Sequence, residues 1–417
     1  MSHYKHYPAY KDSGVEWLGD VPEHWQVAQY KHLVDIQNGS DYKHVEMEEG
    51  FPVIGSGGAF AFASDYLYDG ESVLLGRKGT IDKPRYVTGK FWTVDTMYWT
   101  KIAPDAHGKY TYYTALTIPF NYYSTNTALP SMTKDALSSH AIARPPLHEQ
   151  MVISAFLDRE TTRIDALIAK KTRFIELLRE KRQAVITRAV TKGLDPNVKM
   201  KDSGVEWLGD VPAHWEVKAI KRESLVQRGA SPRPIDDPVY FDDRGEYAWV
   251  RISDVTASEM YLYETEQRLS SLGSSLSVKM QSGSLFLSIA GSVGKPCIAG
   301  IKCCIHDGFV YFPGLKKDPK FLFYIFVSGQ PYSGLGKMGT QLNLNTDTVA
   351  SIYIASPPIE EQFGITIFLD RETAKIDSLI TRAEQSVALL RERRSALITA
   401  AVTGRIDIRQ VLPELVD

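Results

Sequence analysis

Two stretches of the chain carry apolar side chains in steps of seven. Leu157, Ile164, Leu178 and Val185 form one series, with Leu167, Ile168, Phe174 and Ile175 between them. Leu369, Ile376, Ala383, Leu390 and Leu397 form the other, with Leu379, Ile380 and Val387 between. No glycine or proline falls from His148 to Thr191, while Pro145-Pro146 precede that run and Gly193 follows it. Those are helix start and stop signals in the right order, and sustained heptads with charged flanks predict a coiled coil. Lys171 interrupts the first seam where Ala383 stands in the second. Each helix would be a rod of ~60 Å for ~40 residues. The simpler alternative is two amphipathic helices, each packed on its own domain. Because a globular block leads into each helix, pairing with each other predicts an antiparallel arrangement with one block at either end.

The helical stretches belong to a chain written twice. Residues 11–27, KDSGVEWLGDVPEHWQV, return at 201–217 as KDSGVEWLGDVPAHWEV, differing only at Glu23/Ala213 and Gln26/Glu216. Residues 145–195 return at 357–407, with FLDRET intact and ITRAVTKGLD answered by ITAAVTGRID. Repeats at such spacing define the architecture before any local reading does. The resulting divisions are a strap at 1–27, a block at 28–144, a long helix at 145–195, a second strap at 196–217, a second block at 218–356, a second helix at 357–407 and a tail at 408–417. The strap reads as a packed loop around two tryptophans and a Gly-Asp-Val-Pro turn. Both blocks read as mixed α/β domains of short strands, so the expected class is α+β with an internal pseudo-two-fold repeat. ESVLLGRKGTIDKPRYV and GSLFLSIAGSVGKPCIA each read strand, turn, strand. The blocks are not visibly alike otherwise: the frame is duplicated and the inserts diverge.

Charge changes the picture little at the level of the chain, whose formal net charge is -2. A nucleic-acid surface must therefore be local, or a partner must supply part of it. Arg77, Lys78, Lys83, Arg85 and Lys90, together with Thr80, form the densest basic cluster of the first block. Arg228, Arg233, Arg251, Ser292 and Lys295 are the corresponding candidates in the second. Arginine reads guanine bidentately and Asn or Gln reads adenine, which adds Asn126, Gln341, Asn343 and Asn345.

Catalytic signatures are missing. GSVGKP at 291–296 lacks the first glycine and the final Ser or Thr of a phosphate loop. The Pro-Pro pairs, Arg144–Leu147 and Ser356–Ile359, lack the aromatic that amino-methyltransferases place after them. GxSxG, HExxH and GxGxxG do not occur, and no metal-ligand spacing stands out. Cys297, Cys303 and Cys304 match no paired zinc spacing and suit reduced thiols. No apolar run reaches the ~20 residues of a membrane span, and the N-terminus has no secretory core, so a cytoplasmic location is expected.

This arrangement resembles the specificity subunits of type I restriction-modification enzymes. The resemblance rests on Trp17–Trp25 and Trp207–Trp215, a WLGxxPxHW-like motif; on PPxxEQ at Pro145–Gln150 and Pro357–Gln362; and on FLD at Phe156–Asp158 and Phe368–Asp370. IDxLI stands at Ile376–Ile380, with Ile164–Ile168 its counterpart, and Leu287–Lys295 looks like the family's second-domain hairpin. Gly76–Lys83 departs from it, with Asp82 where the second block has Gly294. The resemblance implies a subunit without catalysis or cofactor of its own. It would read double-stranded DNA, bind two methyltransferase subunits carrying S-adenosylmethionine, and be joined by ATP- and Mg-dependent motor-nuclease subunits for restriction. Faces kept alike in both helices, Asp158/Asp370 and Arg159/Arg371 among them, would meet those identical partners; Arg159, Arg163, Arg371 and Lys375 are the candidate contacts. The helices would act as a ruler between half-sites of a bipartite, asymmetric target. The competing reading is a pseudo-symmetric coiled-coil scaffold that binds only protein.

Overall fold

The computed structural model describes residues 4–123, 130–333, 335 and 344–409. They form two compact units, one from 1–172 with 384–417 and one from 173–383. The two heptad stretches are single helices, Leu147–Lys192 and Ile359–Val402. Each contributes one part to each unit. Within the first unit, Asp165 accepts from Arg394 at 2.9 Å, and Tyr110 Oη bridges the carbonyls of Ala143, just before the first helix, and Val402, at the end of the second. The segments therefore run antiparallel. Within the second unit, Arg182 forks onto Asp377 at 2.8 and 3.2 Å, while Ala189 and Val190 share a core with Ile365 and Leu369. The repeat offset carries Asp165 onto Asp377 and Arg182 onto Arg394, so the two ion pairs are one interaction made twice.

The seam itself is buried at Leu157, Ile164, Leu178, Leu369, Ile376, Ala383 and Leu397. Three of the expected intermediate positions are not: Leu167, Phe174 and Leu379 are exposed. Their spacing follows the heptad, but a two-helix seam covers a narrower stripe than the sequence supplies.

The two inserts share a strand order despite their unlike sequences. In the first unit a four-stranded antiparallel sheet runs Arg85–Val87, Ser72–Gly76, Met97–Ile102, Val34–Asn38. In the second, Pro296–Ala299, Leu285–Ser288, Phe309–Tyr311 and Gln227–Arg228 stand in the same order, extended by Tyr261–Leu262. The other sheet of each unit contains one parallel pair, Phe51–Gly55 with Lys90–Thr93 in the first and Tyr247–Val250 with Cys303–Ile305 in the second. Each insert closes through an antiparallel pair from strap exit to helix entry, Gln26–Gln29 with Ala141–Arg144 and Glu216–Ala219 with Tyr353–Ser356.

Each strap is a hairpin, Tyr10–Asp12 with Asp20–Pro22 and Met200–Asp202 with Asp210–Pro212. Its His-Trp ending grips the glutamate of PPxxEQ. Glu149 accepts from Trp25 Nε1 at 3.0 Å and lies 2.6 Å from His24 Nε2; Glu361 accepts from Trp215 Nε1 at 2.8 Å and lies 2.6 Å from His214 Nε2. The neighbouring Gln150 and Gln362 each accept from the backbone N–H of His107 and Asp318, just ahead of an insert helix. Those helices, Gly108–Ala115 and Pro319–Val327, then tie down FLD: Tyr113 and Lys109 donate to Asp158, and Tyr324 and Lys320 donate to Asp370. The sequence reading put Asp158 and Asp370 on a partner-facing surface. They serve instead to dock each insert on its own helix segment.

In the first unit Tyr7 adds a third donor to Glu149 at 3.2 Å, and that carboxylate is only 3% exposed against 42% for Glu361. Removing it strands the buried Trp25 and Tyr7 donors, each costing ~1–3 kcal/mol, whereas water can replace Glu361 in part. Glu149→Ala should therefore destabilise its unit by ~3 kcal/mol and Glu361→Ala by ~1 kcal/mol. Hydrogen–deuterium exchange in denaturant, read unit by unit, measures both; equal losses would refute the difference.

Candidate nucleic-acid interface

In the first unit, residues 77–84 connect Ser72–Gly76 to Arg85–Val87. This turn is stapled to 130–132: Gly79 N–H donates to Pro130, Met132 N–H donates to Arg77, both at 2.9 Å, and Lys78 bridges Ser131. Gly76 permits the fold-back, since a Cβ there would lie 2.5 Å from Ile81 Cα. Lys78, Thr80 and Lys83 are exposed on it. Arg77 is half-buried, donating to the Asp95 carbonyl over the Tyr98 ring. Arg85 and Lys90 have structural work nearby. Arg85 donates twice to the Ser56 carbonyl, and Lys90 lies over the rings of Phe51 and Tyr66. Asn126 lies outside the described residues.

In the second unit the fold gathers Arg228, Arg233 and Arg251, which the sequence scatters. Asp307 is the organiser: Arg228 donates to its carbonyl, and Arg233 and Ser231 donate to its carboxylate at 2.9 and 3.1 Å. Burial works against that charge, but the Ser231 hydroxyl and the Arg233 guanidinium hold the carboxyl below its usual range. Arg251 leaves the end of Tyr247–Val250 and forks onto Glu266 at 2.9 Å and Gln267 at 2.5 Å. Arg233, Arg251, Gln267 and Asp307 line one open depression of about 870 Å³ with Trp249 as part of its wall. Gln267 and Asp307 carry no sequence signal because strand pairing brings them to the arginines, Gln267 through Trp249 and Asp307 through the Arg228–Val310 register; Ser231 is two residues from Arg233 in the chain and matters only through Asp307.

Ser292 and Lys295 are placed elsewhere, both closing on Thr256: Ser292 Oγ lies 2.6 Å from its hydroxyl and Lys295 Nζ 2.6 Å from its carbonyl. Burial lowers the Lys295 pKa. Asn345 caps the helix Thr346–Ser351, accepting from Thr348 N–H at 2.9 Å. Gln341 and Asn343 lie outside the described residues.

On the helices, Arg159 and Arg371 repeat each other: each donates to the next glutamate at 3.1 Å and stacks 5.8 Å over a phenylalanine, Phe156 or Phe368. Arg163 and Lys375 pair with the same glutamates, Glu160 and Glu372. Four apolar positions are exposed in both copies of the helix: Leu147 and Ile359, Met151 and Phe363, Leu167 and Leu379, Leu177 and Leu389.

Among the described residues no group of three or more His, Cys, Asp or Glu is placed to hold a metal, and no helix is long and apolar enough to cross a membrane. The three thiols are buried, which pushes Cys303 up to about 12 and Cys304 up to about 11.

Comparison with known proteins decides the family. The model of the type I restriction modification DNA specificity domain matches residues 22–177 and again 212–387. The chain belongs to this family. Among relatives of these specificity subunits, that of MjaVIII from Methanocaldococcus jannaschii is 24% identical over 68% of this chain and 66% of its own length. The EcoBI specificity subunit of Escherichia coli is 20% identical over 95% of this chain and 89% of its own. A chain solved in a study of complex assembly and conformational transition of the type I R-M system superposes with a TM-score of 0.72 at 14% identity, covering 92% of this chain and 98% of that one. The HsdS subunit from Thermoanaerobacter tengcongensis gives 0.53 at 14% identity, covering 93% and 98%. The two domain matches fall on the two inserts with their helix entries, so this specificity chain repeats the domain that its fold repeats.

Asp307→Ala should free the 228–233 loop. Amide exchange there is expected to rise about tenfold or more, with little change in the first unit, because the contacts of Ser231 and Arg233 converge on that one side chain while Arg228 keeps only the backbone carbonyl. Unchanged exchange would mean that the backbone alone holds the loop.

Proposed function

We propose that this chain is the non-catalytic, sequence-reading subunit of a type I restriction-modification complex. Each insert reads one half of a bipartite, asymmetric target in double-stranded DNA. The observation that supports this most is the contrast within the chain. Two inserts share strand order and docking contacts, yet expose different chemistry: Lys78, Thr80 and Lys83 on a turn in one, Arg233 and Arg251 around a depression in the other. A scaffold that bound only protein would have no use for unlike surfaces on like frames.

Two methyltransferase subunits are the proposed partners of the duplicated helix faces. Identical partners require identical contacts, and the exposed apolar pairs Met151/Phe363 and Leu147/Ile359, with Arg159/Arg371 and Arg163/Lys375, are available twice. S-adenosylmethionine would be bound by those partners, and ATP and Mg by the restriction subunits that join through them. Partner surfaces also answer the charge balance, since phosphate contacts supply affinity while base contacts supply specificity.

Co-expression with the methyltransferase subunit tests the reading. The expected product is a complex of one specificity chain and two methyltransferase chains, by native mass. Its methylome in a host lacking other adenine methylation should show two different half-sites separated by unread bases. Met151→Glu with Phe363→Glu should abolish stable assembly while the isolated chain keeps its fold. A continuous or palindromic methylated target, or assembly indifferent to both charges, would contradict it.

A further inference from the structure

The depression in the second unit is built unlike a phosphate clamp. Asp236, Asp242 and Asp243 line it beside Arg233 and Arg251. Three carboxylates at that distance repel a phosphodiester, whereas they leave hydrogen-bonding base edges unopposed. A cytosine amino group is a natural donor to a carboxylate, and guanine O6 and N7 are the natural acceptors for an arginine fork. Arg251 meets the second requirement. Its backbone is fixed at the end of a buried strand, and its N–H accepts no freedom, donating to Asp254 at 2.8 Å. Glu266 holds one terminal nitrogen and Gln267 the other, so the guanidinium plane is set before any ligand arrives. With two of its five N–H groups engaged, three remain. The side chain is still 43% exposed. Arg233, 71% exposed and anchored by Asp307, stands on the same wall without such a pair of supports.

We infer that Arg251, oriented by Glu266 and Gln267, is a specificity-determining residue of the second insert and reads the guanine of a G·C pair. The inference rests on the DNA-reading function proposed above and adds which base is read and by what. Preorganisation is the physical reason: an arginine already held in plane loses little rotamer freedom on forming a bidentate contact, so more of the contact becomes discrimination.

The test uses the full chain in its methyltransferase complex and selection from a randomised duplex pool. The second insert's half-site is the one that survives replacement of residues 28–144. It should contain a G·C pair at which Arg251→Lys loses preference by about tenfold to a hundredfold, the span of one bidentate contact. Lysine keeps the charge, so affinity for unselected DNA and its salt dependence should stay near wild type. Glu266→Gln and Gln267→Ala should weaken preference at that same pair and at no other, which a merely structural role would not do. A second measurement leaves the protein untouched: 7-deazaguanine at that position should weaken wild-type binding about tenfold. A half-site without G·C, or preference unmoved by Arg251→Lys and by 7-deazaguanine, overturns the inference while leaving the proposed function standing. Loss of all sequence selectivity in the wild-type complex would overturn the proposed function instead.

Discussion

A carboxylate holds each unit together at the point where strap, insert and helix meet. Glu149 and Glu361 sit at the first turn of a long helix and accept from the indole and lie against the imidazole of the strap. The geometry needs a carboxylate: two oxygens answer two different donors on adjacent residues, and a helix N-terminus favours the negative charge. Pro145-Pro146 and Pro357-Pro358 fix where the helix begins, so the glutamate falls within its first turn. One residue later, a glutamine turns its amide donor on the first proline's carbonyl and its oxygen on the insert. Strap, insert and helix are thus registered within two residues of sequence.

That economy separates frame from insert. Both inserts are seated by the same polar contacts: a backbone N–H for the glutamine, then a lysine and a tyrosine four residues apart on one helix face for the FLD aspartate. Lys109 and Tyr113 do this in one unit, Lys320 and Tyr324 in the other. Away from the frame the two inserts differ: a stapled basic turn in the first, an arginine-lined depression organised by Asp307 in the second. The same logic explains why charge on the whole chain is uninformative, because reading surfaces occupy a few residues of each insert.

The duplicated frame was legible in the sequence because it has strong periodicity and literal repetition. Helix limits agree closely with the Pro-Pro and glycine signals, and the strand-turn-strand segments are hairpins as read. Less legible were the roles of individual polar residues. Asp158 and Asp370 read as part of a partner-facing surface, since nothing local marks a docking partner some 45 residues earlier. Arg85, Lys295 and Asn345, candidates for DNA contact, also hold Ser56, Thr256 and Thr348, contacts that no local pattern marks. Gln267 and Asp307 carried no signal at all; their place is set by which strands pair. Leu167, Phe174 and Leu379 were read as seam and are exposed, because a heptad pattern shows an apolar stripe without saying how many partners share it.

The central claim is that each insert specifies its own half of the target on a frame that does not care which insert it holds. Replacing residues 28–144 with the first insert of another family member, keeping the lysine–tyrosine pair and the two strap-facing strands, measures it directly through the methylome of the resulting complex. One half-site should change to that of the donor while the other half-site stays unchanged base for base. A change in both half-sites, or in neither, would contradict it.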